Sequence, residues 1–195
     1  MAHRHLFASL ALAAAFAAFS ARADVALPGT GVWSSFAVDS LLSAPAPGLG
    51  WIDDAGDPLF FAFAIGAGSI GTLTVVDAGF AGDTFSISNS GVALGSTSPV
   101  PIGAFETAVD IGTDYAAVLA DARFSRGVFT LGTGTYRIGG ELAQSVTLGG
   151  LPLEATAGGI RLTVTTPVSE PSAIFLLLAG FGVVASIARR NARFR

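Results

Sequence analysis

Between Asp24 and Thr166 turn signals recur so closely that a long helix has no room to form. Asp54-Ala-Gly-Asp57, Asp77-Ala-Gly79, Ala81-Gly-Asp83, Asn89-Ser-Gly91, Gly95 to Pro101 with its two prolines, and Gly132-Thr-Gly134 punctuate the chain. Glycine supplies the left-handed backbone that turns need, and Asp or Asn folds back onto its own main chain. The segments between them carry the period of two that belongs to strands. Leu73 and Val75 fall on one face, toward the core, with Thr72 and Thr74 on the opposite, wet face; Phe85-Ser-Ile-Ser repeats the pattern; Ile160, Leu162 and Val164 fall inward with Arg161 and Thr163 outward. Trp33–Val38, Gly127–Leu131 and Thr135–Ser145 complete the main set, while Leu59–Ile65 reads as a strand buried on much of both faces. Gly139-Gly140 inside the long strand suggests a bulge or bend. The alanine-rich stretch around Tyr115–Ala122 suits a short helix, and Ala44-Pro-Ala-Pro-Gly48 an extended loop. Some seven to nine short strands predict an all-β fold, an antiparallel β-sandwich or jelly-roll-like domain over 24–166.

Each end of the chain carries a different pattern. Arg4 beside His3 and His5, the apolar run Leu6–Phe19, and Ala21-Arg22-Ala23 have the order of a secretory signal peptide over 1–23, with cleavage after Ala23. An uncleaved anchor is disfavoured, because the apolar run is short and meets the Ala-x-Ala step directly. At the other end, Ser169-Glu170-Pro171 precedes an uncharged run from Ala173 to Ala188, then Arg189, Arg190, Arg193 and Arg195. Sixteen helical residues rise about 24 Å, short of a hydrocarbon core of about 30 Å. Arg189 and Arg190 make up the difference by snorkelling to the headgroups, and they fix that end in the cytoplasm. A membrane helix over 173–188 with the middle of the chain outside follows. Thr166-Pro-Val-Ser169 is the tether, and Pro167 stops the last strand.

An acidic-Pro step, a short hydrophobic helix and a terminal arginine cluster, in that order, resemble the PEP-CTERM sorting signal of Gram-negative exopolysaccharide producers. Here the step is Ser-Glu-Pro where the family has Pro-Glu-Pro. The resemblance covers 167–195 and implies an exosortase-type sorting enzyme as partner, acting at Ser169, Glu170 and Pro171 with Arg189 and Arg190 behind the helix. It also implies a precursor anchored in the inner membrane, then delivery to the cell surface or the extracellular matrix of a biofilm, with exopolysaccharide as a further candidate partner. A plain stop-transfer anchor needs the run and the arginines but no Glu-Pro. Phe129-Thr-Leu-Gly-Thr-Gly-Thr-Tyr-Arg-Ile-Gly-Gly resembles a hairpin common in ectodomains that bear this signal, which bears on the fold alone.

Composition limits the chemistry of the exported part. From Asp24 to Val168 there are four arginines and thirteen acids, a net charge of −9, and no Lys, His or Cys. Such a domain repels nucleic acid, so no nucleic-acid partner is expected. It has no thiolate, imidazole or Schiff-base amine, and a Ser-His-Asp arrangement is impossible once His3 and His5 leave. A non-enzymatic surface protein without cofactor is the main expectation. A hydrolase working on glycans with carboxylates is one alternative, drawing on Asp53, Asp54 and Asp57 or on Glu106, Asp110, Asp114 and Asp121. A carbohydrate-binding module is another, with Trp33, Trp51, Tyr115 and Tyr136 as a stacking platform. Packing of both tryptophans is preferred, Trp33 in the core on its strand and Trp51 the better surface position of the two. Asp53–Asp57 and Asp77–Asp83 offer oxygens to calcium, but Asp and Gly together are first of all turn formers, and no metal site is expected.

Overall fold

A computed structural model of the chain describes residues 24–44 and 47–167, together with four separate positions further on, Leu177, Phe181, Arg189 and Arg190, all exposed. The expected signal peptide at 1–23, the step Ser169-Glu170-Pro171 and the rest of the run 173–188 lie outside the described residues. No helix among the described residues is long and apolar enough to cross a membrane.

In chain order the elements are β1 (Val25–Ala26), β2 (Thr30–Asp39), β3 (Phe61–Ile65), β4 (Ile70–Phe80), β5 (Thr84–Asn89), β6 (Val92–Ser96), β7 (Asp110–Gly112), α1 (Tyr115–Ala120), β8 (Arg126–Leu131), β9 (Gly134–Gln144), β10 (Thr147–Leu148), β11 (Leu151–Pro152) and β12 (Ala155–Thr165). One sheet has the order β1-β3-β9-β5-β6. The other runs β2-β12-β4, with β8 and then β7 sharing the far side of β4. Pairing is antiparallel apart from the two-residue contact of β1 with β3 and a bridge between Ala104 and Thr147. The two sheets share one apolar core: Phe36 and Val38 from β2, Leu73 and Val75 from β4, and Ile160 and Leu162 from β12 meet Phe61, Phe63 and Ile65 from β3, Phe85 and Ile87 from β5, and Ile138 and Leu142 from β9. The expected period of two is therefore what joins them. The Asn89-Ser-Gly91 turn links β5 to β6 with Ser90 and Gly91 both left-handed (φ 49° and 82°), the geometry that matches strand twist.

Three local expectations are corrected. β3 is not buried on both faces: Phe61, Phe63 and Ile65 are buried, whereas Ala62 is half-buried and Ala64 exposed. Thr74 is buried, because the outer face of β4 carries a second, smaller core in which Val76 and Ala78 pack beneath Val118 of α1 and Phe124. The short helix expected there is thus the lid of that cluster, started by Asp114, whose side chain accepts from the Ala117 N–H at 3.1 Å. Gly139 and Gly140 form no bulge. They pair in register with Ser88 and Ile87, and the extra residue of β9 is Ala143, between the pairs Phe85–Leu142 and Thr84–Gln144.

Close approach explains the glycine pair. A Cβ on Gly139 would meet the ring of Phe60, and one on Gly140 would run into the indole of Trp51 and the carbonyl of Ser86. Gly140→Ala is expected to cost about 1–3 kcal/mol by overpacking. Gly132→Ala, where nothing lies within 4 Å of the added methyl, should stay within about 0.5 kcal/mol. Urea midpoints of the two variants against the parent check this.

Candidate functional site

β2 is the outer strand of its sheet, and a cleft of about 590 Å³ runs along its open edge. Ala37 exchanges main-chain hydrogen bonds with Ile52 there, at 3.1 and 2.8 Å. By strand periodicity Ser35 and Trp33 turn their main-chain groups the same way, into the cleft. Trp33, half-buried, is directly across from Arg161 of β12, whose guanidinium carbon stands 4.6 Å from the ring centroid. Tyr115, from the start of α1, lies 5.3 Å from Trp33 at a 39° tilt and rests on Gly159, where any side chain would strike its ring. Burial pushes the Tyr115 phenol up, against an opposing hydrogen bond with the Ser35 hydroxyl. Ser34, Asp53, Asp54 and Thr113 complete a rim of hydroxyls and carboxylates around this aromatic pair.

A second polar group closes one end of the sandwich. Asp77 and Asp83 are wholly buried, at 0% exposure each. One oxygen of Asp77, Oδ2, accepts from the N–H groups of Gly82 (3.3 Å) and Asp83 (3.2 Å), and Oδ1 of Asp83 accepts from the Val146 N–H at 2.6 Å. Asp77 Oδ1 and Asp83 Oδ2 have no hydrogen-bond partner. Loss of water, and then the charge of Asp83, raise Asp77 to about 8, with the amides of Gly82, Asp83 and Ala78 pulling the other way. Burial raises Asp83 as well; the Thr156 hydroxyl, without completing a hydrogen bond of normal geometry, and the Val146 amide oppose it. Beside the pair, Thr97 Oγ1 accepts from the Phe85 N–H and the Ser125 hydroxyl, both at 2.9 Å. Gln144 Nε2 donates to the carbonyls of Gly82 (2.7 Å) and Val100 (3.1 Å).

The structure sorts the residues singled out from the sequence. Trp51 is packed, as preferred: it is 2% exposed and stacked on Phe36 at 4.0 Å with its Nε1 unpartnered; the ranking of the two is what changes, since Trp33 is the tryptophan that reaches a cleft. Tyr136 stacks on Phe63 and donates to the Gly132 carbonyl at 2.9 Å, which ties down its own hairpin. The four aromatics therefore form no common platform, although Trp33 and Tyr115 do meet. Asp53 Oδ1 accepts from the N–H groups of Ala55 and Asp57, a turn as expected. Asp110, Asp114 and Asp121 likewise accept from main-chain N–H groups close by, and Glu106 from that of Gly149. Asp77–Asp83 is a correction. Asp77 belongs to β4, not to an exposed turn, and the alternation of Leu73 and Val75, carried two residues further, is the signal that places it inside. No group of three or more His, Cys, Asp or Glu placed to hold a metal ion occurs among the described residues. Of the sorting residues, Arg189 and Arg190 are exposed, and Ser169, Glu170 and Pro171 lie outside the described residues.

No protein-family model matches the chain, and no curated protein matches it. Among solved structures it is similar to the pre-peptidase C-terminal domain of collagenase from Bacillus anthracis, at 10% identity and a TM-score of 0.35, covering 73% of this chain and 98% of that one.

The hydroxyl network beside the acids has a measurable weight. Thr97→Val keeps the shape but leaves the Phe85 N–H buried without its acceptor, and should cost about 1–3 kcal/mol. Ser125→Ala removes a donor and should cost about 1 kcal/mol. Urea unfolding followed by tryptophan fluorescence, with the slope unchanged, checks both values.

Proposed function

We propose that the chain is an exported, non-enzymatic surface or extracellular-matrix protein, delivered by its C-terminal sorting signal and acting through the surface of its β-sandwich. The delivery rests on the order of Ser169-Glu170-Pro171, the apolar run and the arginines, and makes a membrane-embedded sorting enzyme the partner. One observation carries the non-enzymatic part: the carboxylate pair that the fold seats in its interior, Asp77 and Asp83, is sealed from solvent. A glycosidase needs its two acids on either side of a bond in an open cleft. Asp53, Asp110, Asp114 and Glu106 work locally, accepting from main-chain N–H groups near them or across a short contact.

A second reading, a glycan-binding module, is favoured by the β2 cleft. An aromatic pair bordered by hydroxyls, carboxylates and free main-chain groups offers the mixed apolar and hydrogen-bonding surface that a sugar ring needs. Trp33→Ala should then abolish retention on a polysaccharide column while Trp51→Ala merely destabilises the fold; equal retention of parent and Trp33→Ala removes this reading.

The sorting reading is tested by intact mass. Protein recovered from the cell surface or medium should end near residue 170 and lack 173–195. Changing Glu170→Ala together with Pro171→Ala should leave membrane insertion intact, since that step adds little to partitioning, and leave the protein unprocessed in the inner membrane. Wild-type surface protein that retains its full C-terminus would make the segment a simple anchor. Incubation with a panel of polysaccharides should release no reducing ends; hydrolysis lost in Asp53→Asn or Glu106→Gln would overturn the non-enzymatic reading.

A further inference from the structure

The aspartates of this domain that accept from main-chain N–H groups fall into two kinds. Asp39, Asp53, Asp110, Asp114 and Asp121 each accept from N–H groups two to four residues ahead, in exposed or half-buried positions. Asp77 and Asp83 reach five, six and sixty-three residues along the chain and are wholly buried. Along β4, Leu73, Val75 and Asp77 share one face, and the first two belong to the main core, so position 77 is one where the strand pattern asks for an apolar side chain. Each carboxylate spends one oxygen on main-chain amides. The other two oxygens, Asp77 Oδ1 and Asp83 Oδ2, are buried and unpartnered.

Among the described residues no basic group answers them. From the turn before β5 the charged group facing Asp77 is Asp83 itself. The strands packed around the pair contribute neutral groups: the Ser125 main chain before β8, the Val146 amide and Gln144 side chain from the end of β9 and beyond, and the Thr156 hydroxyl from β12. The four arginines between Asp24 and Thr166 are engaged elsewhere. Arg126 donates to the Leu119 carbonyl, Arg123 pairs with Asp121, Arg137 pairs with Asp24, and Arg161 lies over Trp33. Two neighbouring carboxylates shut away from water without a counter-cation do not both ionise. Calcium would ask for six to eight oxygens, whereas two unpartnered carboxylate oxygens and one hydroxyl are at hand.

We infer that the pair retains a proton on Asp77, and that this proton is a latch: with it the end of the sandwich is closed, and without it the turn Ala81–Asp83 and its tie to Val146 are loosened. Charge on both acids sets Asp77 against Asp83 across the joint where β4, β5, β9 and β12 converge. The direction of the response follows from linkage. The folded state holds the Asp77 proton up to about 8 while the unfolded chain releases it near 3.8, so its stabilising contribution is whole below about pH 4 and is lost as pH rises through about 8. The latch does not depend on the proposed export.

The test uses the full-length chain in detergent, melted from about pH 5 to about pH 9 with Trp33 and Trp51 fluorescence as the readout. The wild type should lose melting temperature steadily up to about pH 8 and then level off. Asp77→Asn, which keeps the shape and removes the proton, should fall less steeply than the wild type over that range and exceed it at the alkaline end. Infrared spectra should show a buried carboxylic-acid C=O band at neutral pH that disappears in alkali and is absent from Asp77→Asn. Should that variant not fold, the alkaline loss of the band in the wild type and in Asp83→Asn still decides. A flat wild-type profile, or no acid band at neutral pH, overturns the latch. A melting temperature raised many degrees by millimolar calcium but not magnesium also overturns it, because the pair then holds a metal ion instead.

Discussion

The sandwich depends on large rings seated on glycines of the facing strands. Phe36 and Trp51 stack at 4.0 Å, and Phe85 meets both edge-on at 5.1 and 6.4 Å. The stack has room because Gly158, directly across the ladder from Phe36, and Gly140, beside Trp51, have no side chain where the rings lie. A domain without cysteine has no covalent staple to offset a loose core, so burial of these rings carries the stability, at roughly 25 cal/mol per Å² of apolar surface. Glycine costs the strands some conformational entropy, and the fold accepts that cost at the points where an aromatic ring needs the space.

That seating also marks how far the sequence could be read. Alternation in Leu73-Thr-Val75, Phe85-Ser-Ile87 and Ile160–Val164 is a local property, and it placed the core face of three strands correctly. The hairpin turn Asn89-Ser-Gly91 and the helix near Tyr115 were legible for the same reason, since glycine, asparagine and alanine act within a few residues. Which tryptophan stays nearer the surface was not legible. Gly50 and Asp53 beside Trp51 and the Pro-rich loop before it argue for the surface, while its burial is decided by Phe36 and by Gly140, some ninety residues later. Thr74 failed likewise, because nothing in a Thr-Leu-Thr-Val pattern announces that α1 will cover the outer face.

The acid pair shows the same limit for chemistry. Asp next to Gly reads as a turn, and at Asp53 it is one. At Asp83 the decisive partner is the amide of Val146, sixty-three residues away, which no local pattern discloses. The β2 cleft was half legible. Its aromatics had been singled out, but which of them meet depends on the cross-strand register that sets Arg161 opposite Trp33 and on Gly159, which makes room for Tyr115.

The placement of β12 links the fold to the tether. It is an inner strand, bonded to β2 on one side and to β4 on the other, and its last residue, Thr165, pairs with Ile70 just before the tether begins. Tension on the proposed tether, transmitted through Thr166 and Pro167, would therefore act on a strand held by two ladders. An outer strand such as β6, held by one, would peel more easily. The acid pair lies toward the other end, where Gly158 pairs with Asp77, seven residues from Thr165 along β12 and so about 23 Å at the rise of a strand. The ladder from Gly159 to Thr165 lies beyond the acid end, so a hold on the proposed tether and the proposed response to pH would be separate properties of one strand.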